Sequence, residues 1–201
     1  MLDVKVAVAR GNFILKAEIN DAGFICLSGL NGSGKSSLLN IIAGKLKPDE
    51  GYVKINSRDV TDLPLESREV VLVNPDSFIP HLDVEKHLKW GAAARRVNVD
   101  DSVIMGMKER LGITYSGRVD KLSFGMRERV ALATALLSGP KALLVDEAFS
   151  NIDNREAFIE AFRDLCRSAK VDLVHTTQQK TDAKLADHHY DLVGGLCSRI
   201  F

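Results

Sequence analysis

The nine residues GLNGSGKSS, from Gly29 to Ser37, restrict the fold more than any other stretch of this chain. Before them stands FICLS, a short apolar run that reads as a buried strand. After them, Leu38, Leu39, Ile41, Ile42 and Leu46 recur at helical spacing. A strand must therefore turn through a glycine-rich loop straight into a helix. Gly29, Gly34, Lys35 and Ser36 fill the pattern G-x-x-x-x-G-K-[ST] in that context. Glycines let successive N–H groups converge into a concave nest, and the helix start adds its positive end. The plain alternative is a glycine-rich turn before an ordinary helix, and the complete pattern disfavours it. Asn31, Gly32, Ser33, Gly34, Lys35, Ser36 and Ser37 are the candidate phosphate-binding residues. Lys35 has the reach for β and γ phosphates, and the Ser36 hydroxyl suits Mg²⁺.

A phosphate cradle does not by itself distinguish kinases, GTPases and ATPases. KALLVDEAFS adds a second half: an apolar strand that delivers Asp146 and Glu147 at its carboxyl end, where open α/β sheets bind ligands. Asp146 is the candidate for the magnesium shell. Glu147 is the candidate to orient or deprotonate an attacking water.

Elsewhere LDVKVAVA and NFILKAEI alternate with period two and predict antiparallel strands; GYVKIN and REVVLVN predict two more. Residues 75–121 are mainly helical and read as an insertion. RERVALATALLS and NREAFIEAFRDLCRSA predict helices, VDLVHTT a strand, and the tail a last strand pair. His188 and His189 are expected at a solvated helix end, and Trp90 as half-buried helix core. The whole is an α/β fold: a P-loop NTPase core with a mostly parallel sheet, an N-terminal antiparallel β-subdomain and a helical insertion, as one domain over 1–201.

The chain has 201 residues, with 27 Lys plus Arg against 27 Asp plus Glu and no charged block, so nucleic acid is not an expected partner. No apolar run reaches the roughly 20 residues that span a bilayer, so direct membrane insertion is not expected. The start, MLDVKVAVARG, reads as a strand rather than a signal peptide. Three scattered cysteines fit buried thiols in a reducing, cytoplasmic setting.

LSFGM, Leu122 to Met126, followed by RERVALATALL, resembles the LSGGQ signature and helix of ATP-binding cassette (ABC) ATPases. The order of phosphate loop, helical insertion, signature, acidic strand and SNID at Ser150–Asp153 resembles that family along the whole chain. The resemblance implies ATP and Mg²⁺ as cofactors. It implies a head-to-tail pair of nucleotide-binding domains, a homodimer here, in which Ser123 and Gly125 contact the nucleotide held by the partner. It also implies an integral membrane permease, with the chain at the inner face of the cell membrane. The FIPHL stretch resembles importers of molybdate, tungstate and similar oxyanions. Compared with those, the chain ends without a C-terminal regulatory domain, and solute sensing by it is not expected.

Three departures stand out. Asn74 occupies the place of a glutamine that reaches magnesium and the attacking water. Phe124 and Met126 replace glycine and glutamine in the signature. His175 lies one position before the family's switch histidine, where Thr176 stands; either is a candidate γ-phosphate partner. Slow turnover is expected. Arg10 and Phe13 are the candidates to stack on adenine. A soluble cassette ATPase of the iron–sulfur assembly type, or a module that binds ATP and hydrolyses it weakly, are the alternatives.

Overall fold

The computed structural model describes residues 1–201. In chain order the strands are β1 (Leu2–Arg10), β2 (Phe13–Asp21), β3 (Phe24–Ser28), β4 (Glu50–Ile55), β5 (Arg58–Asp59), β6 (Val70–Val73), β7 (Ala142–Asp146), β8 (Asp172–Thr177), β9 (His188–Val193) and β10 (Leu196–Arg199). The helices are α1 (Lys35–Ala43), α2 (Val84–Ala94), α3 (Asp101–Arg110), α4 (Phe124–Leu137) and α5 (Arg155–Ser168). They separate into two compact units. The first holds Met1–Leu72, Lys141–Asp146 and Lys170–Phe201; the second holds Val73–Pro140 and Glu147–Ala169.

The strands form one sheet in the order β5-β4-β1-β2-β10-β9-β3-β8-β7-β6. Its β1, β2, β4 and β5 end is antiparallel, as the period-two alternation predicts. Around β3 the pairing is parallel, with β8 and β9 on its two sides and β7 beyond β8. Every residue of β3 is buried, which is why it shows no alternation. The apolar face of α1, Leu38, Leu39, Ile41 and Ile42, packs into one core with Ile25 and Leu27 of β3, Leu144 of β7 and Val174 of β8.

REVVLVN yields a shorter strand than its apolar run predicts, because Glu69 takes a left-handed backbone (φ 57°) and Arg68 turns inward. Arg68 is buried and caps α1: its guanidinium donates to the carbonyls of Ile41 (2.9 Å), Ile42 (3.2 Å), Leu63 (2.9 Å) and Thr61 (2.7 Å). Gly44 ends that helix at φ 84°, and a Cβ there would lie 2.4 Å from Arg68 Nε. A solvated helix end at His188–His189 is corrected: both residues open β9, where backbone pairing with β3 claims them, and His189 is buried against the Ser28 hydroxyl at 2.8 Å.

In the second unit the stretch from 75 to 121 contains α2 and α3 and no labelled strand. Gly91 lets α2 approach α4 closely, since a Cβ there would lie 2.5 Å from the Thr134 carbonyl oxygen. Phe149, Phe158 and Phe162 form an aromatic cluster with ring centroids 5.9–6.1 Å apart. Trp90 is half exposed. No helix is long and apolar enough to cross a membrane.

Candidate active site

The loop between β3 and α1 has the backbone that its glycines foreshadow: φ is 154° at Gly29, 77° at Gly32 and 108° at Gly34. Gly34 is the N-cap of α1, and its carbonyl accepts from Leu38 N at 2.9 Å. Close packing adds a second constraint. A Cβ on Gly29 would lie 2.4 Å from Leu192 O and 2.7 Å from Ser33 Oγ; one on Gly34 would lie 3.1 Å from Phe13 Cζ and from Leu15 Cδ1. Phe13 is therefore the floor beneath the loop, while Arg10 stays at the surface beside Asp49, 3.6 Å away.

The Lys35 ammonium is drawn into the loop, donating to Gly29 O at 2.8 Å and Leu30 O at 3.0 Å. Ser33 Oγ is buried without a hydrogen-bond partner. Asn31, Gly32 and Ser36 are exposed, whereas Gly34 and Ser37 are half-buried. A curved backbone, a cation and an orphaned buried hydroxyl form a cradle for phosphate oxygens.

Asp146 ends β7, and its register partner on β8 is Thr176, whose hydroxyl donates to Asp146 Oδ1 at 2.7 Å. Thr176 thus joins the acidic strand end. His175, one residue earlier, has its side chain on the opposite face of β8. There it is buried near the Phe24 ring, with Nε2 3.6 Å from Asp182 Oδ2. Of the two candidates, the structure brings Thr176 and not His175 to Asp146. Ser36 and Asp146 supply a hydroxyl and a carboxylate, the hard oxygen donors that magnesium takes, so the residues fit that ion.

In the second unit Glu147 directly follows Asp146 with a left-handed backbone, φ 57°, held by Ser150 Oγ donating to its carbonyl at 2.6 Å. A non-glycine residue in that region stores strain that sites of chemistry often carry. Asn74 closes a turn on itself: its Oδ1 accepts from Asp76 N at 3.1 Å and Ser77 Oγ at 2.8 Å, and Ser77 Oγ accepts from Asn74 N at 2.9 Å. Both lone pairs of that oxygen are taken, so coordinating a metal through it requires the turn to open.

Ser123 caps α4, accepting from Met126 N at 3.3 Å. Phe124 starts the helix without a left-handed backbone, which is why the chain tolerates it in the signature. It is 66 % exposed and stacks on the Arg127 guanidinium, which also lies over Phe78. Gly125 is irreplaceable for another reason: a Cβ would lie 2.3 Å from Asn151 O. The buried Glu128 carboxylate completes this contact, accepting from Asn151 N at 3.2 Å and Nδ2 at 2.8 Å. Sequence reasoning missed Glu128, Arg68 and the packing role of Phe13, since none belongs to a motif and each acts through a distant contact.

Comparison with known proteins agrees with this geometry. Residues 14–150 match the ABC transporter family model. The chain is 35% identical over 201 residues to the molybdate/tungstate import ATP-binding protein of Archaeoglobus fulgidus, covering 96% of this chain and 84% of that protein. It is 31% identical over 201 residues to the molybdenum import ATP-binding protein of Haemophilus influenzae, covering 93% of this chain but only 56% of that one. Among solved structures, an ABC transporter ATP-binding protein from Pyrococcus furiosus superposes with a TM-score of 0.82 at 21% identity, covering 95% of this chain and 96% of its own. Loop, acidic strand end, signature helix, fold and family match converge, and the chain belongs to the ABC transporter family.

Proposed function

We propose that this chain is the ATP-binding and ATP-hydrolysing subunit of an importer, working against an integral membrane permease at the cytoplasmic face of the membrane. One observation carries the reading: the phosphate loop after β3, with Lys35 at its centre, shares a sheet end with the hydrogen-bonded pair Asp146 of β7 and Thr176 of β8, the strand between β3 and β7. The names of the Archaeoglobus and Haemophilus relatives support a molybdate- or tungstate-like oxyanion as the solute.

In this reading the loop amides of Asn31–Ser37 and the Lys35 ammonium hold the triphosphate, and Arg10 is the residue available to stack on the base, because Phe13 is committed to the floor of the loop. Ser36 and Asp146 would hold magnesium, which neutralises phosphate charge when bound with the nucleotide. Glu147 orients the attacking water and accepts its proton. The Asn74 amide oxygen is free to coordinate only when its turn with Asp76 and Ser77 opens, which supports slow turnover. Ser123 and Gly125, at the start of the 14-residue α4, offer a second anion site that fits the nucleotide of a second copy.

The test is steady-state hydrolysis by the purified chain, with Glu147→Gln as control. Magnesium-dependent ATP hydrolysis that this substitution abolishes, while ATP still binds, is the expected result. Hydrolysis unchanged in the variant would overturn the assignment of Glu147. Co-purification with a soluble scaffold instead of a membrane protein would overturn the importer reading.

A further inference from the structure

His87 lies on α2, is 2 % exposed, and takes no part in the chemistry described above. Its imidazole nonetheless bridges three pieces of the second unit. Nε2 accepts from the backbone N–H of Ile79 at 3.0 Å, Nδ1 lies 2.8 Å from Thr134 Oγ1 on α4, and that hydroxyl lies 3.3 Å from the His87 carbonyl oxygen. A backbone N–H can only donate, so Nε2 must be the acceptor and Nδ1 must carry the proton. The Nδ1 proton then goes to Thr134 Oγ1, whose own hydrogen goes to the His87 carbonyl. Every donor in the chain has one acceptor, and only the neutral Nδ1–H imidazole closes it.

Ile79 sits in the segment that starts with the Asn74–Ser77 turn. Beyond it, Pro80 O accepts from Asp120 N at 3.1 Å and Leu82 O from Val119 N at 2.9 Å. Between the turn and Pro80, the His87 ring is the side chain that holds the backbone. We propose that His87 is a positioning residue: as neutral imidazole it latches the segment carrying Asn74 onto α2 and α4, and protonation releases it. This rests on the proposed function only where Asn74 serves the nucleotide. A protonated ring would turn an N–H toward the Ile79 N–H, setting two donors against each other.

The ring meets the Ile79 amide from the segment and the Thr134 hydroxyl from α4, and no charged side chain contributes to its titration. Burial holds its pKa below the ordinary 6.5, opposed only by a backbone carbonyl. The latch is therefore closed at neutral pH and opens as the pH falls below that value.

The test uses the full ¹⁵N-labelled chain and two variants. Nitrogen shifts of His87 should report the Nδ1–H tautomer at pH 7.5. After correction for intrinsic pH dependence, exchange of the Ile79 amide should be about tenfold faster in His87→Ala, the loss of one buried hydrogen bond. In His87→Gln, whose amide oxygen can accept without titrating, protection should persist as the pH falls, whereas the wild type loses it on acidification. The acid limb of the wild-type ATPase profile should flatten in the same variant. An Nε2–H tautomer, or Ile79 exchange indifferent to all three changes, overturns the latch. Exchange that responds while the ATPase profile does not reduces His87 to a packing role and overturns positioning. Absence of any ATPase activity would instead count against the proposed function, and the exchange data would still decide the latch.

Discussion

Thr176 donates its hydroxyl hydrogen to the Asp146 carboxylate at 2.7 Å across neighbouring parallel strands. One polar side chain thereby fixes the orientation of the acid at the end of β7. A hydrogen bond to a charged group contributes about 1.5–3 kcal/mol. Thr176→Val keeps the shape and removes the donor, so magnesium-dependent hydrolysis should fall about tenfold or more. Nucleotide binding measured without magnesium should change little, because the loop contacts are untouched.

Ser77 Oγ and Asp76 N together hold the amide oxygen of Asn74 in a turn, and Ser77→Ala removes one of these two hydrogen bonds. A neutral hydrogen bond has a net value of about 0.5–1.5 kcal/mol, so kcat should rise roughly two- to tenfold. The steady-state rate decides this: an unchanged or lower kcat means that the turn does not restrain Asn74.

Glu147 combines a carboxylate with a left-handed backbone. Glu147→Gly removes the acid and also relieves a conformation that costs about 1 kcal/mol for a residue with a side chain. Hydrolysis should vanish while the melting temperature holds or rises. In Glu147→Gln, by contrast, ATP should raise the apparent mass in solution if two copies close on the nucleotide. A monomer at saturating ATP would count against the paired arrangement.

Arg68 satisfies four carbonyl groups from inside the protein. Arg68→Met fills the space and strands those acceptors, with a loss of about 3 kcal/mol. For a chain of this size that lowers the melting temperature by roughly 6–12 °C, measurable by calorimetry.

Burial pushes the thiols of Cys26 and Cys197 up to about 12 and that of Cys166 higher still, from an ordinary 9.0. A disulfide-exchange reagent at pH 8 should therefore label the native chain slowly and the unfolded chain at once. The sign for stability follows. Below pH 9 the stabilisation is intact, because both states keep their protons. As the pH rises from 9 towards 12 the unfolded chain ionises first, and stability declines.

The phosphate loop was legible because its left-handed positions at Gly29, Gly32 and Gly34 are filled by glycine, whose spacing shows in the sequence. The antiparallel strands were legible because one alternating face is buried. Arg68 was not, since its run looks like the start of a strand; only the turn at Glu69 and the distant end of α1 explain where it goes. The Asn74 turn lay in plain sight as Asn-Pro-Asp-Ser, a sequence that favours side-chain capping of its own backbone. His175 and Thr176 could be separated only by strand register, which no single sequence fixes. His87 needed two partners, eight and 47 residues away, to reveal its tautomer.

The ammonium of Lys35 is gathered in by carbonyl oxygens of the very loop it serves. Removing it would deprive the curve of its internal brace as well as of its charge. A neutral replacement at this position therefore confounds two losses, affinity and architecture, and an inactive variant there says little about which was suffered. Arginine keeps the charge but not the compact fit, so comparing it with a neutral residue is how the two can be told apart.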